Sequence, residues 1–193
     1  TTWTEPQLPR GGRTIRVQPG GLRGALGQAR PGDVLLLAPG VYRGTFGPPS
    51  GQPGRPIALV GAGTGEAILD GQGVGQVLAI LLAVGETARV ENVVITNGFA
   101  EFGGGLWVRH SLVTLENCVI TGNHAEFQGG GMFLNTLLGL PITFDSCEIS
   151  GNTVSHPKFD AGYGGAGWLG EGLVRLIDTE VSGNSAEHSG GGF

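Results

Sequence analysis

Four stretches of this chain are one pattern written four times: Val-Glu-Asn-Val-Val-Ile-Thr at 90–96, Leu-Glu-Asn-Cys-Val-Ile-Thr-Gly-Asn at 115–123, Phe-Asp-Ser-Cys-Glu-Ile-Ser-Gly-Asn at 144–152 and Leu-Ile-Asp-Thr-Glu-Val-Ser-Gly-Asn at 176–184. The steps are 25 residues from Thr96 to Thr121, 29 from Cys118 to Cys147 and 32 from Asn152 to Asn184. Such a period marks a solenoid, in which each unit is one coil that buries its apolar face only against its neighbours. A strand advances about 3.3 Å per residue, so a coil of this length has room for about three short strands. Stacked coils then build parallel sheets.

Alignment assigns faces. Val90, Leu115, Phe144 and Leu176 form one apolar column, Ile95, Ile120, Ile149 and Val181 a second, and Val93, Cys118, Cys147 and Thr179 a third. Between them Glu91, Glu116, Asp145 and Ile177, then Val94, Val119, Glu148 and Glu180, alternate outward as a pleated strand requires. Asn123, Asn152 and Asn184 follow at a turn. Asn tolerates left-handed backbone, and its amide can bond the same atoms one coil away, so an asparagine stack is expected there.

Cys118 and Cys147 fall at equivalent positions about 4.8 Å apart by strand spacing. That lies within the Cα range of a disulfide, but parallel Cβ vectors favour two buried thiols over a cystine.

Glycine is 39 of 193 residues without a Gly-X-Y period, which excludes collagen and points to closely spaced turns. Apolar residues at 39% and charged residues at 14% allow a buried core and argue against disorder. A net charge of −5 with a single lysine leaves no basic stripe for nucleic acid. The longest apolar run, 77–84, is far short of the roughly 18 residues of a membrane span.

The chain reads as a single domain, 1–193: residues 1–33 an N-terminal extension with a capping helix, 34–86 irregular first coils and 87–193 regular repeats. Leu22, Ala25, Leu26 and Ala29 recur at helical spacing before Pro31-Gly32, which predicts a short helix over 21–29 that covers the open core. The start, Thr-Thr-Trp, suits a mature secreted protein or an excised fragment. The end at Phe193 falls part way into a repeat, so the last coil is expected to be open and able to receive another chain's coil.

The stretch Ala29-Arg30-Pro31-Gly32-Asp33-Val34-Leu35-Leu36-Leu37-Ala38-Pro39-Gly40-Val41-Tyr42, followed by Arg55-Pro56-Ile57 and Ile68-Leu69-Asp70-Gly71, resembles the N-terminal coils of right-handed parallel β-helix proteins of the pectate-lyase-like superfamily. Residues 120–131 and 181–192 are similar to the Gly-Asn-x-Ala…Gly-Gly repeats of bacterial surface proteins of the polymorphic outer-membrane type. The resemblance implies an all-β right-handed parallel β-helix, here of about six coils with a short N-terminal capping helix. It also implies an extracellular or cell-surface location in a bacterium and recognition of polysaccharide.

Lyase chemistry in that superfamily needs a base to take a proton α to a uronate carboxylate, and a cation to neutralise that carboxylate. Arg109, His110, Lys158 and Arg175 are the candidates, and no pair of them stands at a revealing spacing. No cofactor is expected apart from Ca²⁺, which Glu101 and Glu126, neighbours on adjacent coils, could hold between them.

Binding residues are easier to find. From Asn to Gly-Gly the chain spends 6 residues in two repeats (123 to 129, 184 to 190) but 12 in the third (152 to 164), and the extra residues bring His156, Lys158, Asp160 and Tyr163 into one loop. Trp107, Phe133 and Trp168 also align as a column after the glycines. With Leu106, Val108, Met132 and Leu134 inward, the column is an external platform for sugar rings or a partner surface. In the reverse orientation it is an interior stack, which Gly167 would favour because an inward glycine leaves a void.

Three functional readings result. The first is a non-catalytic extracellular scaffold or adhesion-type module that binds polysaccharide or a cell-surface partner. The second is a polysaccharide lyase acting on uronate polymers. The third is a structural protein that self-associates through its C-terminal edge.

Overall fold

The repeats become stacked parallel strands in the computed structural model, which describes residues 11–48, 54–62, 65–136, 139–156 and 162–193. A seven-stranded first face runs in chain order through Thr14–Val17, Val34–Leu37, Ala58–Gly61, Thr87–Glu91, Leu112–Glu116, Pro141–Asp145 and Leu173–Ile177. The six-stranded second face holds Gly40–Arg43, Ala67–Asp70, Val93–Thr96, Val119–Thr121, Glu148–Ser150 and Glu180–Ser182. The third face has Phe99–Phe102, His124–Gln128, Thr153–Val154 and Ser185–Ala186, and the fourth Leu78–Leu81, Leu106–Arg109, Met132–Asn135 and Gly167–Leu169. The pairings within each face are parallel. Parallel crossovers of this kind wind right-handed, and the fold is a right-handed parallel β-helix.

Two expectations need correction. Regular coils have four faces instead of three strands, because the residues after each turn asparagine go straight back into extended backbone and make a short strand of their own. The third and fourth faces have four strands each, so the solenoid makes about four full turns and not six; its first and last coils are partial.

Corner chemistry differs from the expected turn asparagines. The left-handed residues between the first and second faces are Asn92, Asn117, Ser146 and Asp178, with φ of 53°, 50°, 54° and 44°. Small polar side chains tolerate that region best. At the next corner Gly122, Gly151 and Gly183 take positive φ, while the asparagines that follow them turn their amides inward. Asn123 and Asn152 are buried. Asn152 Oδ1 accepts from the Asn123 backbone N–H (3.1 Å) and from Asn123 Nδ2 (3.0 Å), and Asn152 Nδ2 donates to the Ile120 carbonyl (2.9 Å) and to Asn184 Oδ1 (2.9 Å).

The core follows the aligned columns. Val90, Leu115 and Phe144, then Ile95, Ile120 and Ile149, are buried, whereas Leu176 on the last coil is 42% exposed because no described residue stacks over it. Both cysteines are buried free thiols. Cys118 Sγ donates toward the Glu116 carbonyl (3.3 Å), Cys147 Sγ toward that of Asp145 (3.3 Å), and Thr179 Oγ1 fills the same position by donating to Ile177 (2.8 Å). The hydrogen bond to Cys147, then burial, raises the Cys118 pKa well above the ordinary thiol value.

At the N-terminal end the helix Leu22–Gln28 buries Leu22, and Ala25 and Leu26 pack on the core. Among the described residues no helix is long and apolar enough to cross a membrane. Beside the helix the buried Asp33 carboxylate accepts from the backbone N–H groups of Arg13 (2.8 Å) and Arg30 (2.9 Å) and from the Arg13 guanidinium. The Arg13 side chain, then the backbone N–H bonds, hold its pKa well below the usual carboxylate range against the opposing effect of burial. A depressed folded pKa contributes stability above the unfolded value of about 3.9, and that contribution is lost as pH falls through the folded value. Asp33→Asn is therefore expected to lower the urea midpoint near neutral pH, with the gap closing only in strong acid. Equal midpoints at neutral pH would show that the carboxylate has no stabilising role.

Candidate functional site

The third face turns a small column inward: Ala125 and Val154 are buried, with Ala100 and Ala186 in line. Its outward positions carry the chemistry. Phe99 pairs with His124, and the two rings stack at 5.2 Å and 12°. Beyond Ala125 the register shifts, so that Gln128 and not Phe127 pairs with Phe102. The extra residue is a bulge, which leaves Glu126 and Phe127 both half-buried at the surface. Phe127 stacks on Phe102 (5.9 Å, 28°) and on His156 (4.7 Å, 29°), so the rings form a column along the solenoid.

That column meets the one anticipated on the fourth face. Trp107, Phe133 and Trp168 are in register, and their neighbours Leu106, Val108, Met132 and Leu134 are fully buried, so the aromatics point outward and the interior stack is excluded. The void feared at Gly167 is filled: a Cβ there would meet the Phe193 ring at 2.7 Å and Met132 Cγ at 2.8 Å. The platform itself needs revision, since Phe133 and Trp168 stack on each other at 4.6 Å and 13° and turn their faces to one another. Phe102 meets Phe133 edge-on at 5.5 Å and 63° and joins the two columns.

Two clefts lie along the ring column of the third face. One of ≈ 240 Å³ is lined by Phe102, Phe127, Gln128 and Tyr163. The other, of ≈ 270 Å³, is lined by Phe99, His124, Glu126, Ser155, His156 and Glu187. The second carries hydrogen-bonded polar groups: His124 Nδ1 lies 2.8 Å from Thr153 Oγ1, and the His156 backbone N–H donates to Glu187 Oε2 at 3.0 Å. A broader depression of ≈ 610 Å³ beside the helix carries one charged side chain, Arg23.

Of the residues singled out in the sequence, His156 and Tyr163 lie at these clefts, and Glu126 lines one with Glu101 one rung away on the same outward row. Tyr163 also meets His188 edge-on at 5.1 Å. Lys158 and Asp160 fall outside the described residues. Arg109 is exposed at the end of a fourth-face strand, His110 takes a left-handed φ of 58° in the turn beyond it, and Arg175 pairs with Thr143 on the first face. None of Arg109, His110 and Arg175 lines either cleft. Among the described residues no three His, Cys, Asp or Glu side chains converge as metal ligands would.

Phe99, Phe102, Phe127, His124, Gln128 and Glu187 line the clefts but were not singled out in the sequence. For Phe102, Phe127 and Glu187 the signal is the recurring Ala-Glu followed by Phe or His at 100–102, 125–127 and 186–188. It shows the ring column once the bulge, which a strict two-residue alternation conceals, is known.

The class these features define is a right-handed parallel β-helix with a ring-lined seam between two of its faces. No protein-family model matches the chain, and no curated protein matches it in sequence. Among solved structures it is similar to an alginate lyase from Paenibacillus sp. str. FPU-7, with 21% identity over 88% of this chain and 64% of that one and a TM-score of 0.42. The chain thus spans somewhat less than two thirds of that enzyme. The fold assignment rests on the strand pairings of the chain itself.

Proposed function

We propose that this β-helix is a glycan-binding module that works outside the bacterial cell, holding a polysaccharide along the ring column of its third face without cleaving it. The observation that carries this reading is the pair of adjacent clefts walled by outward rings from successive coils, with carboxylate, imidazole and amide groups between them. Sugar rings present apolar C–H faces and a polar rim, and exposed aromatics beside hydrogen-bonding side chains match both. Arg175 stands on the first face, away from the third-face clefts, and neither Arg109 nor His110 lines them, which supports binding over lyase chemistry at these clefts, since that needs a base and a carboxylate-neutralising cation on one substrate. The Gly-Asn-x-Ala repeats, similar to those of surface proteins, support the location.

Isothermal titration with a panel of soluble oligosaccharides tests it. Phe127→Ala and Tyr163→Ala are each expected to weaken binding about two- to twelvefold, the effect of losing one ring contact worth about 0.5–1.5 kcal/mol. Trp107→Ala, outside both clefts, should change affinity little. Incubation with pectate, alginate and glycosaminoglycans in the presence of Ca²⁺ is expected to give no absorbance of unsaturated product. A robust signal abolished by Arg109→Ala would replace the binding reading with the lyase reading.

A further inference from the structure

We propose that Cys118 and Cys147 form a two-coordinate site for a soft monovalent cation, Cu(I) or Ag(I), held between two coils inside the core. The site is independent of the glycan-binding reading. The two residues immediately precede the paired strands Val119–Thr121 and Glu148–Ser150, so they stand in register on adjacent rungs. Each follows a left-handed corner residue, Asn117 (φ 50°) or Ser146 (φ 54°). Cys118 is fully buried and Cys147 is 4% exposed, both as free thiols.

Geometry decides which bond two such thiols can make. Side chains on in-register rungs point the same way, and rungs are about 4.8 Å apart along the solenoid axis. A cystine needs an S–S bond of about 2.05 Å with the two Cβ atoms turned about 90° around it, which parallel Cβ vectors oppose. An ion midway between the rungs has a sulfur on either side at about 2.4 Å, close to the roughly 2.3 Å of a metal–thiolate bond. Sulfur, ion and sulfur then lie in a line along the axis, with each Cβ–S bond across it. The two thiols hydrogen-bond each other, so the ion takes the place of the proton between them.

The donor set selects the cation. Thiolates favour soft ions, and Cu(I) and Ag(I) accept two of them in a line. Structural zinc takes four ligands and hard cations take oxygen, whereas among the described residues no three His, Cys, Asp or Glu side chains converge. The surroundings tolerate the exchange. Binding breaks two S–H bonds and forms two S–Cu bonds; both protons leave to solvent and no electron is transferred. The carbonyls that lose a thiol donor keep another, since that of Glu116 also accepts from the Asn92 N–H (3.0 Å) and that of Asp145 from the Asn117 N–H (3.0 Å). One negative charge remains on the dithiolate, and the Val93 and Cys118 backbone N–H groups already hydrogen-bond the sulfurs of Cys118 and Cys147. The neighbouring columns, Leu115 with Phe144 and Ile120 with Ile149, are fully buried and keep water out.

The test is titration of the reduced full chain with Cu(I), supplied as its acetonitrile complex in oxygen-free buffer, and separately with Zn(II). The wild-type chain is expected to take up a single equivalent of Cu(I) with a thiolate-to-metal charge-transfer band in the near ultraviolet, and to unfold at a higher temperature when loaded. Zn(II) should produce neither change. Cys118→Val and Cys147→Thr place at each position the residue that its column carries on the adjoining coil, Val93 and Thr179. Both variants are expected to keep the fold, which urea unfolding without metal checks, and to lose the band and the thermal shift. If the wild-type chain binds no more Cu(I) than either variant, or if Zn(II) stabilises it equally, the site is refuted. X-ray absorption at the copper edge of the loaded wild-type chain decides the matter even where a variant does not fold: two sulfur neighbours are expected, and nitrogen or oxygen neighbours would overturn the assignment.

Discussion

Asn152→Ala is expected to lower the stability of the folded chain by about 3–5 kcal/mol, a large share of the roughly 5–15 kcal/mol that holds a domain together. Asn152 is fully buried, and its amide links three successive coils. Without it the Asn123 backbone N–H and the Ile120 carbonyl lose their partners in a site closed to water. A buried polar group without a partner costs about 1–3 kcal/mol, and alanine leaves two such groups together with a small cavity. Asn184 plays the same part at the edge of the stack, where it is half-buried, so Asn184→Ala should cost about 1 kcal/mol. Urea unfolding of the two variants checks both values. A loss below about 1 kcal/mol for Asn152→Ala would mean that water or a rearranged turn replaces the ladder.

Gly104→Ala is expected to be more damaging, with a loss above about 4 kcal/mol or failure to fold. A Cβ at Gly104 would come within 2.8 Å of the Gly130 carbonyl oxygen and closer still to that of His124. Both are backbone atoms of the next coil, and both coils are tied into the stack: the His124 N–H donates to the Gly98 carbonyl and the Gly130 N–H to that of Gly164. There is no flexible side chain to move aside, so the methyl group must push two coils apart. Gly24→Ala in the helix makes the control, since a Cβ there meets nothing within 4 Å. That change should stabilise by about 0.5–1 kcal/mol through better helix propensity. Soluble expression and chemical denaturation separate the two, and a near-normal midpoint for Gly104→Ala would show that the coil spacing is softer than the hydrogen bonds suggest.

Much of the fold was legible because a solenoid repeats its physics. The columns headed by Leu115, Cys118 and Ile120 could be placed by alternation alone, and each is buried. The helix over Leu22–Gln28 followed from apolar spacing before Pro31-Gly32. The third-face strand of each coil was not legible, because it is short and follows directly on a turn, and in His124–Gln128 a bulge also breaks the two-residue alternation. The same bulge hid the ring column, since Phe127 counts as inward by parity. The chemical role of the asparagines was half visible: their stacking could be expected from position, but the left-handed backbone belongs to Gly122, Gly151 and Gly183 beside them.

The seam shows a similar division. Trp107, Phe133 and Trp168 were found in the sequence as a column, while their direction stayed open because one strand of alternating apolar residues has two possible insides. Burial of Met132 and Leu134 settled it. That Phe133 and Trp168 spend their faces on each other, and that Phe102 joins them to Phe127 and His156, depends on distances between coils that no periodicity specifies.

By itself the sequence determined that this protein is a stack of coils, which residues line its core and which positions recur at its corners, because every repeat must satisfy the same burial and hydrogen-bonding demands. Only the tertiary structure decided where a ligand could sit. A cleft is made by side chains from different coils meeting across a bulged corner, and their meeting depends on the register between rungs and not on the pattern within any one of them.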